Sequence, residues 1–252
     1  MNKISAVVIT YNEEKNISRC LNSLIDVADE IVVVDSFSTD KTEEICKQYN
    51  VRFFKNEFKG YGEQKKFAVN LCTYDYILSL DADEALSDEL KNEIHKIKEN
   101  FNADGYVINR LNYYCGKWLN HVFYPDKKLR LWNRKKGNWN LEQLHEEVEM
   151  ESNAKIKTLK GNILHYTYYT ISEHIDQINK FSSLSARIKF RENKKIPFLL
   201  TLLRVKFVFI KFYFLKFGFL DGYYGFIASC MKAFETFVKD IKLSELNKNK
   251  EI

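Results

Sequence analysis

Ile4-Ser5-Ala6-Val7-Val8-Ile9-Thr10-Tyr11-Asn12-Glu13 passes within ten residues from an apolar, β-branched run to a polar cluster. A short run of this kind, closed by turn-forming residues, predicts a buried strand over Ile4 to Ile9. The pattern recurs outward from it. Ile31 to Val34 is apolar and stops at Asp35-Ser36; Val51 to Phe54 is a third run; Tyr76 to Leu80 is a fourth and ends at Asp81-Ala82-Asp83-Glu84. Helical segments fall between them. Ile17, Leu21, Leu24 and Ile25 have helical spacing, Asp40 with Glu43 reads as a capping box opening a helix to about Tyr49, Gly60 and Gly62 mark a loop before a helix over Glu63 to Leu71, and Ser87 caps a helix through about Glu99. Four strand–helix alternations predict an α/β fold with a mostly parallel sheet flanked by helices. Ligands of such sheets bind beyond the carboxyl ends of the strands. The polar clusters Thr10 to Glu13, Asp35 to Asp40 and Asp81 to Glu84 are expected there.

The 252 residues carry 45% hydrophobic and 29% charged side chains, an ordinary globular mix that excludes a disordered chain. Five cysteines with no CxxC spacing argue against a zinc site or a disulfide framework. Met1 to Thr10 lacks the basic and long apolar regions of a secretory leader, so a cytoplasmic location is expected. The net charge of +5 is mild, but Lys and Arg crowd between Arg187 and Lys216 among large apolar residues. That stretch reads either as a solvated basic face or as attraction to an acidic partner.

Asp81 and Asp83, one residue apart at a strand end, are suited to a hard divalent cation, Mg²⁺ or Mn²⁺, completed by water and substrate phosphates. A D-x-D triplet also occurs in plain turns and helix caps. Beyond the carboxylates the chain resembles a known family. Val7-Val8-Ile9-Thr10-Tyr11-Asn12-Glu13-Glu14, Ile31-Val32-Val33-Val34-Asp35-Ser36-Phe37-Ser38-Thr39-Asp40 and Leu80-Asp81-Ala82-Asp83 are similar, in order and interval, to the motifs of family 2 glycosyltransferases of the Rossmann-like GT-A fold. Gly60-Tyr61-Gly62-Glu63-Gln64-Lys65, Tyr124 to Trp132, Leu144-His145-Glu146 and Phe217 to Gly222 resemble the branch containing lipopolysaccharide core β-1,4-glucosyltransferases.

The resemblance implies an inverting hexosyltransferase that uses a UDP-sugar donor and a lipid-linked saccharide acceptor. By it, Thr10, Tyr11, Glu13 and Asp35 line the uridine pocket, Lys65 faces the diphosphate, Asp81 sits near ribose and metal, and Asp83 ligates the metal. A late histidine of such enzymes binds metal or diphosphate, and His165 holds a similar position; a histidine in an apolar strand is equally a core residue. Glu146 is the candidate base, oriented by His145, with Glu147 and Glu142 as alternatives. Tyr11 reads otherwise as packing at a strand end, and Lys65 as a solvated lysine.

Ile196 to Phe217, IPFLLTLLRVKFVFIKFYFLKF, has the length of a membrane span but carries Arg204, Lys206, Lys211 and Lys216. Each central charge costs about 2.5–3.5 kcal/mol of insertion, so peripheral docking is the expectation instead. A second helix is expected over Tyr223 to Ile241. The alternative is a helical pair packed on protein. The division expected is residues 1–190 as the glycosyltransferase domain and 191–252 as a membrane-associating helical segment. A sugar nucleotidyltransferase would carry a Gly-rich basic loop where Tyr11-Asn12-Glu13-Glu14 is acidic. A catalytically inactive adaptor would not retain Asp35, Asp81, Asp83 and Glu146. No nucleic-acid-binding motif accompanies the basic tail.

Overall fold

A computed structural model of the chain describes residues 2–141 and 146–249. Strands β1 (Ile4–Thr10), β2 (Glu30–Asp35), β3 (Arg52–Lys55) and β4 (Tyr76–Asp81) lie in the order β3-β2-β1-β4, all pairs parallel. They alternate with helices α1 (Ile17–Leu24), α2 (Thr42–Cys46) and α3 (Tyr61–Asn70). This is the parallel sheet predicted from the alternation. Antiparallel strands extend it beyond β4: β8 (Asp126–Asn133), β6 (Gly105–Tyr114), β11 (Ile156–Tyr168) and β5 (Glu84–Leu86), with helix α4 (Asp88–Glu99) following β5. Strand β7 (Lys117–Leu119) pairs with β6, and β9 (Gly137–Trp139) with β10 (Val148–Met150).

The period-two alternation of β1 gives the sheet two buried faces. Ile4, Ala6 and Val8 join Ile17, Leu21 and Leu24 of α1 and Leu90 and Ile94 of α4 in one core cluster. Val7 and Ile9 join Val32, Val34, Ala68 and Val69, with Trp132 and Trp139, in another. Each fully buried aliphatic side chain contributes about 1.5–3 kcal/mol, so a strand buried along its whole length is fixed in register by both faces.

By packing, the chain divides into two compact units: residues 1–110 with 126–166, and residues 111–125 with 167–252. These cuts differ from the boundary after residue 190 that the change in composition suggests. In the second unit, α5 (Ile171–Arg191), α6 (Phe198–Ile210) and α7 (Gly222–Asn249) are joined by a π-helical turn at Lys211–Leu215 and a 3-10 turn at Gly218–Asp221. The buried Asp221 carboxylate accepts the backbone N–H groups of Asn120, His121 and Val122, at 2.9, 3.0 and 2.9 Å, which pins the segment after β7.

Two local expectations are corrected. Asp40 does not box-cap a long helix: α2 spans only Thr42–Cys46, and Asp40 accepts instead from the Thr42 hydroxyl (2.6 Å) and the Glu14 N–H (3.0 Å). Gly62 is not in a loop but in the first turn of α3, where a Cβ would strike the Asn140 carbonyl oxygen. A reciprocal capping box does form, at Thr170 and Glu173 on α5. Ser87 caps α4 as expected, accepting from the Leu90 N–H at 3.3 Å.

Candidate active site

The site forms in the first unit, at the carboxyl ends of β1, β2 and β4. The segments after β1 and β2 are zipped together by side chain–backbone hydrogen bonds. The Asn12 N–H donates to Ser38 Oγ (2.8 Å), the Thr39 N–H to Asn12 Oδ1 (2.8 Å) and the Glu13 N–H to Thr42 Oγ1 (2.8 Å). Asn12 and Phe37 take positive φ, 54° and 61°, at the two bends, a conformation costly for non-glycine residues and held here by that network. Thr10 is buried with its hydroxyl unpaired, while Tyr11 is 57% exposed. Asp35 is fully buried and accepts from the Ser38 N–H at 2.8 Å and from the Ser38 hydroxyl, so its carboxylate shapes the bend. Glu13 accepts from Asn16 Nδ2 (2.8 Å). Burial, then repulsion from Asp83, pushes the Glu13 carboxyl up to about 7, with Asp40 and Asp81 adding to it.

Lys65, on α3, is 2% exposed and reaches the acidic end of β4. Its Nζ lies 2.9 Å from Glu146 Oε1 and 3.1 Å from Asp81 Oδ1, above the Trp139 ring at 4.7 Å. It is therefore not a solvated lysine. Arg130, on β8, donates to Asp81 Oδ2 (3.2 Å) and Glu84 Oε1 (3.1 Å), and Glu84 also accepts the Asp81 N–H (3.0 Å). Arg110 reaches Glu84 at 3.2 Å and Asp126 at 2.7 Å. Burial opposes ionisation of Asp81, but Lys65 and Arg130 overcome it and hold the carboxyl far below the usual range. Among the described residues the Nε and Nη1 of Arg130 are buried without a hydrogen bond, and Asp81 Oδ1 has its ion pair with Lys65 but no aligned hydrogen bond. Such orphaned polar atoms are costly in a resting protein and are the groups a polar ligand would satisfy.

Asp83 Oδ2 lies 3.2 Å from His165 Nε2 on β11. His165 thus pairs with the acidic cluster rather than sitting in an apolar core. Among the described residues, no three His, Cys, Asp or Glu side chains converge on one metal position. Of the three residues expected to hold the metal, Asp83 pairs with His165, while Asp81 is engaged by Lys65 and Arg130. Two protein ligands still suit Mg²⁺ or Mn²⁺, which take the remainder from water and substrate phosphates. The mutual repulsion of Glu13, Asp83 and Asp40 is what a cation would relieve. Glu147 is held by its backbone to Asn140 and its side chain is exposed, whereas Glu146 faces Lys65. His145 and Glu142 lie outside the described residues.

Sequence reading assigned no role to Arg130, Glu84, Arg110 or Trp139. The available signal was Arg130 inside the apolar run Leu129-Arg130-Leu131-Trp132, since a buried guanidinium requires carboxylates beside it.

Residues 5–153 match the family model described as glycosyl transferase family 2. The chain is 34% identical to an uncharacterised glycosyltransferase of Rickettsia typhi, over 98% of this chain and 88% of that one. It is 30% identical to the lipopolysaccharide core biosynthesis glycosyltransferase LpsC of Rhizobium meliloti, over 95% and 91%. Among solved structures it is similar to S. aureus TarS 1–349 in complex with UDP-GlcNAc, with a TM-score of 0.49 and 17% identity, over 99% and 91%.

Proposed function

The chain belongs to glycosyl transferase family 2, and from that premise we propose that it is an inverting hexosyltransferase moving a sugar from a UDP-linked donor, UDP-glucose first among candidates, to a lipid-linked core saccharide. The single observation that supports the reading most is the Lys65 bridge between Asp81 and Glu146. It brings the acidic end of β4 and the candidate base to one lysine, a geometry suited to departure of a diphosphate beside attack by a hydroxyl.

In this reading Thr10, Tyr11, Glu13 and Asp35 bind the uridine. The free Thr10 hydroxyl and the exposed Tyr11 ring provide a hydrogen bond and a stacking face. Asp83 and His165 hold Mg²⁺ or Mn²⁺, which when bound neutralises charge on the leaving diphosphate. Lys65 and Arg130 add fixed positive charge there. Glu146 accepts the proton of the acceptor hydroxyl as its oxygen attacks the anomeric carbon and the sugar–phosphate bond breaks, so the configuration inverts in one displacement. Among the described residues no hydrogen bond reaches Glu146 Oε2, which leaves that oxygen for the proton.

The acceptor's location bears on the second unit. Among the described residues no helix is long and apolar enough to cross a membrane. Yet α6 exposes Leu199 (70%), Leu203 and Phe207 (58% each), and the turns beyond it expose Leu215, Phe217 and Leu220. A peripheral contact with the cytoplasmic membrane surface would cover these side chains and hold the enzyme where a lipid-linked acceptor resides.

A panel of nucleotide sugars screened by thermal unfolding tests the assignment. UDP-glucose should raise Tm in the presence of Mg²⁺ or Mn²⁺ and much less in EDTA. Absence of a shift with every nucleotide sugar would refute the donor assignment.

A further inference from the structure

In the second unit, α5, α6 and α7 bring together Lys189, Arg204 and Lys239, three cations outside the catalytic machinery. All three are half-buried. Arg204 Nη1 lies 2.8 Å from Oδ2 of Asp240, which is buried, yet neither carboxylate oxygen receives a well-aligned hydrogen bond. The other donors of the guanidinium, on Nε and Nη2, have no partner among the described residues. Lys189 and Lys239 form no ion pair or hydrogen bond among them either. Burial of an unpaired ammonium group costs free energy that an anionic partner offsets. Here burial pushes both down; Lys239 and Arg204 add to the effect at Lys189 while Asp240 opposes it, and at Lys239 Asp240 and Glu235 oppose it while Arg204 and Lys232 add to it. Glu235 is itself paired with Lys232 at 2.6 Å, which leaves Asp240 as the carboxylate against the three.

The cluster borders the exposed apolar side of α6. Leu200 precedes Arg204 by one helical turn and Phe207 follows it by one, so both lie on its flank; they are 46% and 58% exposed. Positive charge with unfilled donors, edged by exposed aliphatic and aromatic side chains, matches the chemistry of a phospholipid: a phosphate at the cations and acyl chains along the apolar flank.

We propose that Lys189, Arg204 and Lys239 form a binding site for the phosphate of an anionic phospholipid headgroup. The proposal rests on the membrane-contact reading above and deepens it by locating the headgroup.

The test is co-sedimentation of the full-length protein with vesicles of phosphatidylcholine alone or with 30% phosphatidylglycerol. The wild type should bind the anionic vesicles well above the neutral ones. The double variant Lys189→Gln/Lys239→Gln should lose at least about 10-fold of that affinity, since a basic residue at an anionic surface contributes roughly 1 kcal/mol, or about 5-fold. The control Lys206→Gln/Lys211→Gln removes the same charge from exposed lysines and should lose clearly less. The cluster variant should melt no lower than wild type, because it relieves repulsion; a lower Tm would assign the lysines to neutralising Asp240 and overturn the site. Equal losses in the two double variants would mean diffuse electrostatics and also overturn it, with membrane contact intact. A wild type that ignores every vesicle removes both readings. A Tm shift with inorganic phosphate in that case would mark a free-phosphate site and refute the lipid assignment.

Discussion

Lys65 Nζ stands 2.9 Å from Glu146 Oε1 and 3.1 Å from Asp81 Oδ1, so one buried ammonium ties α3 to the end of β4 and to the segment before β10. The three residues come from distant parts of the chain; neutralising Lys65 would leave two carboxylates facing one another in a largely buried setting, whereas neutralising either carboxylate leaves Lys65 with one partner. That coupling shapes what substitutions here should do.

Glu146→Gln keeps size and the hydrogen bond from Lys65 but removes the proton acceptor. Transfer should fall about 10²–10⁴-fold in kcat, while the Tm shift produced by the UDP-sugar persists. Steady-state kinetics beside thermal unfolding separates the two effects. Undiminished kcat would move the base elsewhere.

Asp83→Ala removes a proposed metal ligand. Donor-induced stabilisation should lose its dependence on Mg²⁺ or Mn²⁺, and turnover should drop at least about 10²-fold, since charge neutralisation by a metal contributes several kcal/mol at a diphosphate leaving group. Isothermal titration of Mn²⁺ in the presence of UDP checks this; wild-type affinity in the variant would exclude Asp83 as a ligand.

Glu13 gives a pH signature. Its folded carboxyl is raised from 4.5 to about 7, first by burial and then by Asp83. A raised group binds its proton more tightly when folded, so its contribution is complete below pH about 4.5 and is lost as pH rises through 7. The effect is on the order of 1–3 kcal/mol. Metal-free wild type should lose Tm between pH 5 and 8, and Glu13→Gln should flatten that slope. Parallel slopes for the two proteins would contradict the burial of Glu13 among carboxylates.

Gly62→Ala places a methyl against the Asn140 carbonyl oxygen. The close approach of α3 to the backbone near Asn140 helps set Lys65 near Glu146, so the variant should lose about 1–3 kcal/mol of stability and activity with it. Urea unfolding and kcat measured together check both; a variant unchanged in each would show that α3 has room to shift.

Much of the site was legible because polar residues that close an apolar strand must lie at its carboxyl end. Thr10, Asp35 and Asp81 fall there for that reason, and Asp83 lies in the turn that follows because β4 stops at Asp81. The expected capping box at Asp40 did not form because Asp40 divides its oxygens between Thr42 and the distant Glu14 N–H, while Glu43 pairs with Lys47 and Lys55 instead of reaching back. Arg130 and Glu84 went unassigned for a similar reason. Their meeting depends on the antiparallel extension of the sheet beyond β4, and local periodicity says nothing about which strand lies beside which.

The parallel half of the sheet, the family and the strand ends where polar residues collect can be read from the order of residues alone, because periodicity and motif spacing act over a few residues. Chain folding had to be seen to know that Asp81 is held by Lys65 and Arg130, that Asp83 pairs with His165, and that Arg204 meets Asp240. Those outcomes depend on distances between elements remote in the chain, and electrostatic energies in a buried setting change steeply with such distances.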